Sequence, residues 1–195
     1  MKGLTLGLAM LCVPLGAAAS PDTYEFDRYH TYVHFAVDHL GMSTIWGRFD
    51  AVSGKFTLDT QAKRGGVELR VETASINTGD NERGSRARSR DEHLRNADFF
   101  NVLEFPQMTY KSSTVKFSGD APATVQGQLM LLGVTRPLSL TIDRWNCGLH
   151  PFNKKEMCGG NASGSIKRSD FGMKYALPAV GDEVKLFVEF EGYKQ

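Results

Sequence analysis

The chain has 195 residues, of which 41% are hydrophobic and 23% charged, proportions typical of one soluble globular domain. The 23 basic and 22 acidic side chains give a formal net charge of +1. Bulk binding of nucleic acid needs a surplus of positive charge, so that function class is excluded. The composition also excludes a collagen, a disordered tail and a polytopic membrane protein.

The beginning of the chain has the pattern of a secretory signal peptide. Lys2 gives a positive start, the apolar stretch 4–15 follows, and residues 17–19 read A-x-A. The apolar stretch is short for a membrane anchor. We therefore predict a signal peptide over residues 1–19, one mature domain over residues 20–195, and a periplasmic location.

Removal of the leader leaves two cysteines, Cys147 and Cys158, in an exported and therefore oxidising setting. We predict a disulfide between them, which would stabilise the fold by about 3 kcal/mol on chain-entropy grounds. Two free thiols, or half of a zinc site, are the alternatives that the spacing alone leaves open.

Period-two alternation of apolar and polar side chains dominates the mature chain. It is clearest, in chain order, in the segments 33–39, 67–72, 108–110, 125–131, 138–142 and 184–191. With the weaker runs included, we predict about eight short strands of an antiparallel barrel or sandwich. Residues 80–100 are charged and rich in helix formers, which predicts a short helix or helical loop. The glycine-containing run 160–164 is interpreted as a turn.

Eight strands enclose an interior that side chains can fill or that can hold one small ligand. Apolar inward positions suit both cases, so periodicity alone leaves a packed core and a ligand cavity open.

The sequence contains no pattern that predicts catalysis or an essential metal. Four residues along a strand span about 13 Å, so His30 and His34 are too far apart to share one ion unaided. We interpret both as ordinary surface histidines and expect no metal. His39 falls on the apolar face of its strand, where it is either a buried histidine held by a neighbour or a polar group at a cavity mouth.

The segment 80–90 contains four arginines, which lie among acidic residues and few aromatic ones. They are Arg83, Arg86, Arg88 and Arg90. We interpret the segment as a solvated loop face, with contact to an anionic head group as the alternative.

Several stretches together resemble the YceI-like family, the periplasmic polyisoprenoid-binding proteins with a lipocalin-like barrel. The matching stretches are Y-E-F-D at 24–27, V-H-F-A-V-D-H-L-G at 33–41, G-R-F at 47–49, A-S-I-N-T-G at 74–79, R-D-E-H-L-R-N-A-D-F-F at 90–100, F-P at 105–106, G-Q-L at 127–129, G-V-T-R-P at 133–137 and R-S-D-F-G at 168–172. The segment 80–89 joins the 74–79 and 90–100 stretches, and it is longer and richer in arginine than the connection that is usual in the family. The cysteine pair resembles that of one subgroup, in agreement with the predicted disulfide.

The resemblance implies an all-β, eight-stranded antiparallel barrel that holds a long isoprenoid lipid, such as a quinone tail, and that requires no cofactor. Strand parity and the family's barrel predict the cavity walls, namely Phe35, Val37, Val71, Met108, Leu129, Leu131, Leu140 and Leu186. Candidates for the mouth or lid are His39, Trp46, Phe99 and Phe100.

The predicted function is that of a binding or carrier protein, not an enzyme, whose partner is the lipid. A packed-core barrel that acts in envelope interactions or stress, and an enzyme acting on an isoprenoid lipid, are the alternatives. Transient membrane contact and oligomerisation remain open.

Overall fold

The computed structural model describes residues 20–195, which form eleven strands, one α-helix and two 3-10 turns. The strands are β1 (Asp22–Phe26), β2 (Tyr32–His39), β3 (Ser43–Phe49), β4 (Val52–Asp59), β5 (Arg64–Glu72), β6 (Ile76–Asn77), β7 (Gln107–Ser118), β8 (Ala121–Leu131), β9 (Val134–Leu149), β10 (Glu156–Lys167) and β11 (Val180–Lys194). The helix α1 spans Arg90–Arg95, and the 3-10 turns span Thr73–Ser75 and Arg168–Phe171. The predicted leader lies outside the described residues.

The strands close into an eight-sided antiparallel barrel, which confirms the predicted fold class. The ring runs β1, β4, β5, β7, β8, β9, β10 and β11, and β11 pairs back onto β1. One edge of β11 pairs with β2 over Val180–Glu189 and with β1 over Gly192–Lys194. β1 and β2 therefore form one side of the barrel, with a break between the two strands. β3 pairs with β2, and β6 pairs with β3, which extends the wall at the β2 end.

Inward alternation explains where the core lies. On β2 the side chains of Val33, Phe35 and Val37 are buried, and their facing partners on β11 and β3 are also apolar. The same parity buries Leu69 and Val71 on β5. Because one face of each strand turns inward, the apolar side chains of all the walls meet along the barrel axis.

The predicted helix in the region 80–100 is present but short. Ser89 caps α1, because its hydroxyl accepts a hydrogen bond from the Glu92 amide while the Glu92 carboxylate accepts one from the Ser89 amide. This capping box and the acidic first turn explain why the helix begins at Arg90. No helix within the described residues is both long and apolar enough to cross a membrane.

The interpretation of residues 160–164 as a turn is wrong, because these residues lie within β10. Gly160 and Gly164 are there because the neighbouring strand comes very close. A Cβ at Gly160 would stand 2.1 Å from the Arg144 carbonyl oxygen, and one at Gly164 would stand 3.0 Å from the Ser139 carbonyl oxygen. These glycines therefore permit close strand packing rather than a chain reversal.

The predicted disulfide between Cys147 and Cys158 is present. The two residues face each other in the antiparallel ladder between β9 and β10, beside the hairpin that joins those strands. The bond therefore links two adjacent walls at the barrel end opposite α1.

Candidate functional site

The barrel encloses an apolar cavity below α1. Its volume is about 120 Å³, and its surface is almost entirely carbon. The side chains that line it come from most of the walls and from the segment that follows α1, and the polar residues among them are Thr109, Tyr110 and Arg168. A concave and apolar site of this kind suits a hydrophobic ligand.

A second apolar chamber of about 70 Å³ lies nearer the β9–β10 hairpin. Its walls include a cluster of aromatic side chains, among them Phe26, Phe56, Trp145 and Phe190. Four residues line both chambers, namely Leu69, Tyr110, Leu140 and Val188. The two chambers therefore adjoin each other inside the barrel.

Tyr110 stands at the boundary between the two chambers. Its ring covers Gly127, where an added Cβ would lie 2.6 Å from the Tyr110 Cζ atom. Its hydroxyl donates to the carbonyl oxygen of Val125 at 3.0 Å and lies 3.1 Å from that of Leu138. Burial raises the pKa of the hydroxyl to about 12, and the two backbone carbonyl groups satisfy its polarity.

The segment around α1 covers the first chamber. Leu94, Phe99 and Phe100 line the cavity from this segment, and the Phe100 ring packs edge-on against Phe49 at 5.3 Å. Phe99 also packs against Tyr175 from the loop before β11, with ring centroids 5.3 Å apart. This end of the cavity is therefore covered by two segments that touch each other.

Charged side chains of α1 anchor this cover to the backbone around β6. The buried Asp91 carboxylate accepts hydrogen bonds from the amide and hydroxyl of Thr78. Arg90 donates to the hydroxyl and carbonyl oxygens of Thr78, and Arg95 donates to the carbonyl oxygens of Ala74 and Ile76. The 74–79 and 90–100 motifs of the sequence thus form one unit that holds the cover in place.

Arg168 fixes the second covering segment, residues 172–181. Its guanidinium is buried and donates to the backbone carbonyl oxygens of residues 173, 175, 180 and 181 at 2.8–3.0 Å. Burial lowers the pKa of Arg168, and the nearby Asp182 carboxylate opposes that shift. The hydrogen bonds to the carbonyl dipoles explain how a charged group is accommodated in an apolar wall.

Ten of the twelve residues predicted from the sequence as cavity walls, mouth or lid line the first chamber. They are Phe35, Val37, Val71, Phe99, Phe100, Met108, Leu129, Leu131, Leu140 and Leu186. That they bind lipid stays a prediction. The other two, His39 and Trp46, are not among the residues that line the chamber.

Trp46 lies on the outer surface of the barrel, which corrects its predicted place at the mouth. It pairs with Ala36 across β2 and β3, opposite in parity to Phe35, and it is 57% exposed. Its ring packs against Phe187 at 5.5 Å. His39 is half-buried at the end of β2, paired with Val180, so it lies beside the chamber but outside its lining.

Sequence reasoning missed other lining residues, such as Phe49, Leu138 and Arg168. Leu138 shares the parity of Leu140, so a stricter use of alternation would have found it. Arg168 carries no such signal, because a charged side chain in an apolar wall depends on the distant carbonyl groups that surround it.

Most of the arginines of segment 80–90 form hydrogen bonds with nearby residues of the chain. Arg86 forms two hydrogen bonds to the Asp80 carboxylate, at 2.6 and 2.7 Å. Arg88 lies 2.7 Å from the His93 imidazole and 3.4 Å from the Asp98 carboxylate. With Arg90 bound to Thr78, three of the four side chains bond to nearby residues of the chain. That the segment is a solvated loop face stays an interpretation.

The fold and the cavity define a class of protein, an eight-stranded antiparallel barrel with an apolar interior. The family model for the YceI-like domain matches residues 24–192, and the chain belongs to this family. The chain is 36% identical over 200 residues to Protein YceI of Escherichia coli O6:H1, and also 36% identical to Protein YceI of Salmonella arizonae. Each alignment covers 100% of both chains.

Solved structures share the fold. The Campylobacter jejuni YceI protein is 26% identical with a TM-score of 0.66, over 81% of this chain and 90% of that one. BcnA of Burkholderia cenocepacia is 20% identical with a TM-score of 0.65, over 85% and 98% of the two chains. A polyisoprenoid binding domain from Saccharophagus degradans is 14% identical with a TM-score of 0.59, over 88% and 98%.

Proposed function

We propose that this chain is an exported carrier that holds a long isoprenoid lipid, of the polyprenyl or isoprenoid quinone type, inside its barrel. The observation that carries the proposal is the pair of adjoining apolar chambers, in which the polar groups of Tyr110 and Arg168 are bonded to the backbone. A ligand in these chambers meets almost only carbon, which suits a hydrocarbon tail.

The energetics favour a carrier for such a tail. Each CH₂ group removed from water contributes about 0.8 kcal/mol, so a long tail crosses an aqueous compartment very slowly unless it is enclosed. Among the described residues that line the chambers, Arg168 is the charged one, and its guanidinium is bonded to backbone carbonyl groups. The polyisoprenoid binding domain among the structural neighbours supports the same ligand class.

The signal-peptide pattern of residues 1–19 supports export to the periplasm. The intact mass of protein from its own host tests this step, and we expect a chain that begins at Ser20. A mature chain that keeps the leader would contradict export by cleavage.

Exposed apolar side chains near the first chamber support transient contact with a membrane during lipid exchange. The tip of the β2–β3 hairpin carries Leu40 and Met42, and Met42 is 86% exposed. The Leu40 amide donates to the Ala179 carbonyl oxygen at 2.7 Å, which joins the tip to the covering segment that holds Met173 and Tyr175.

The test of the ligand uses a matched pair of substitutions on β8. Leu131 is 4% exposed and lines the first chamber, whereas the preceding residue, Met130, is 37% exposed on the outer face. Leu131→Asp places a carboxylate against the tail, which is strongly unfavourable, but an open chamber can hydrate that carboxylate once the lipid has left. Met130→Asp adds the same charge outside the barrel.

We expect solvent extraction followed by mass spectrometry to find isoprenoid lipid in the wild type and in Met130→Asp. The Leu131→Asp variant should fold, with a moderately lower melting temperature, and contain no lipid. Wild-type protein without lipid, combined with a Leu131→Asp variant that cannot fold, would contradict the proposal and favour a barrel with a packed core.

A further inference from the structure

The interruption between β1 and β2 forms a fixed loop on the outer surface of the barrel, against β11. The Asp27 amide donates to the Glu191 carbonyl oxygen at 2.8 Å, and the His30 amide donates to the Asp27 carbonyl oxygen at 3.1 Å. The buried Thr31 hydroxyl donates to the Glu191 carbonyl oxygen and accepts from the Glu191 amide. These bonds set the backbones of Asp27, His30 and Glu191 at a defined spacing.

The side chains of these three residues converge. The His30 Nδ1 atom lies 2.7 Å from Asp27 Oδ2 and 3.9 Å from Glu191 Oε2, and the three candidate ligand atoms all lie within 4.8 Å of one another. The other Asp27 oxygen, Oδ1, accepts a hydrogen bond from the Tyr29 amide at 2.9 Å. This bond orients Oδ2 toward His30.

The spacing suits a small divalent ion after minor side-chain rotation. Zinc binds nitrogen and oxygen at about 2.0–2.2 Å, so tetrahedral ligand atoms stand roughly 3.3–3.6 Å apart. The two distances from His30 Nδ1 lie on either side of that range. The His30 and Glu191 side chains are 59% and 41% exposed, so both can adjust, while the 12% exposed Asp27 stays fixed.

We propose that Asp27, His30 and Glu191 form a binding site for a divalent transition-metal ion of the zinc type. One imidazole nitrogen and two carboxylate oxygens supply three ligands, and the ion replaces the proton between His30 and Asp27. An imidazole ligand favours zinc-like ions over magnesium and calcium. The open groove lined by His30, Glu189 and Glu191 leaves room for water as a fourth ligand.

The sequence could not indicate this site. Spacing along the chain relates His30 only to nearby residues, whereas Glu191 comes from the last strand. The site faces outward, away from the lipid chambers, so it does not depend on the proposed function. The hydrogen bonds of the loop are all made between protein groups, and that the fold requires no metal stays a prediction.

The test is calorimetric titration of ZnCl₂ into the mature chain after treatment with a chelator. We expect one zinc ion per chain, and at least a tenfold loss of affinity in His30→Ala and in Glu191→Gln. The matched control is His34→Ala. His34 lies on the same face, 3.1 Å from Glu189, but it forms a pair with that carboxylate rather than a group of three candidate ligands.

A second readout separates binding from folding. Zinc should raise the melting temperature of the wild type and of His34→Ala, and should not raise that of His30→Ala. The absence of saturable zinc binding in a folded wild type would overturn the proposal. Equal affinity in His30→Ala, or a loss in His34→Ala as large as that in His30→Ala, would also overturn it. None of these outcomes affects the lipid content that tests the carrier function.

Discussion

The substitution Tyr110→Phe isolates one group at the boundary between the two chambers. It removes the hydroxyl that bonds to the carbonyl oxygens of Val125 and Leu138, and it keeps the ring that covers Gly127. Tyr110 is 4% exposed, so its hydroxyl lies away from bulk solvent. The effect should therefore come from buried carbonyl groups that lose a partner, not from lost packing.

Leaving a buried polar group without its partner costs about 1–3 kcal/mol, and we expect the free energy of unfolding to fall by that amount. The pKa of Tyr110 is raised to about 12 in the folded state, so the hydroxyl is protonated in the folded and unfolded states below pH 10. The loss should therefore be independent of pH from acid to mildly alkaline conditions.

The assay is equilibrium unfolding in urea on lipid-free protein, because bound lipid would add its own stabilisation. Tyr29→Phe is the control, since Tyr29 is 68% exposed on the surface loop. A Tyr110→Phe variant as stable as Tyr29→Phe would refute the reasoning, because the Tyr110 hydroxyl would then contribute nothing to the free energy of unfolding.

Three further predictions concern the parts that close the barrel. Replacing both Cys147 and Cys158 by serine should lower the free energy of unfolding by about 3 kcal/mol at most and leave the far-ultraviolet circular dichroism unchanged; loss of the β-sheet signal would contradict this. Asp91→Asn should loosen α1 and speed tryptic cleavage in the arginine-rich segment 80–90, and an unchanged cleavage rate would count against the anchoring role of Asp91. Hydrogen bonds from the Ser169 amide and hydroxyl lower the pKa of Asp182 below its ordinary value of 3.8. The stabilisation that the Asp182 carboxylate contributes is therefore fully present above pH 3.8 and is lost as the pH falls through the lowered pKa. Asp182→Asn should therefore be less stable than the wild type at neutral pH and converge with it in acid unfolding curves, and a constant difference would argue against this linkage.

Local alternation, together with the barrel that the family resemblance implied, predicted most of the residues that line the first chamber. Each strand turns one face inward, so residues such as Val37 and Leu131 could be assigned from their own segments. The assignment failed for Trp46, because β3 has few apolar inward residues and Gly47 stands at the position that faces Phe35. The inward face of β3 depends on its register with β2, which periodicity does not give.

Features that depend on distant contacts could not be predicted. The glycines of β10 look like turn residues, and only the closeness of the β9 backbone explains them. Arg168 is tolerated in the wall because carbonyl groups of a separate segment surround it. Likewise, His30 meets Glu191 only because the last strand returns beside the first.

The central claim is that the apolar chambers hold one long isoprenoid lipid. Native mass spectrometry of the mature protein, purified from its own host without detergent, tests this claim most directly. We predict a complex of one chain with one apolar molecule, which is released on unfolding and has the mass and fragmentation of an isoprenoid. A folded protein that shows only the mass of the bare chain, or that carries a polar ligand, would contradict the account.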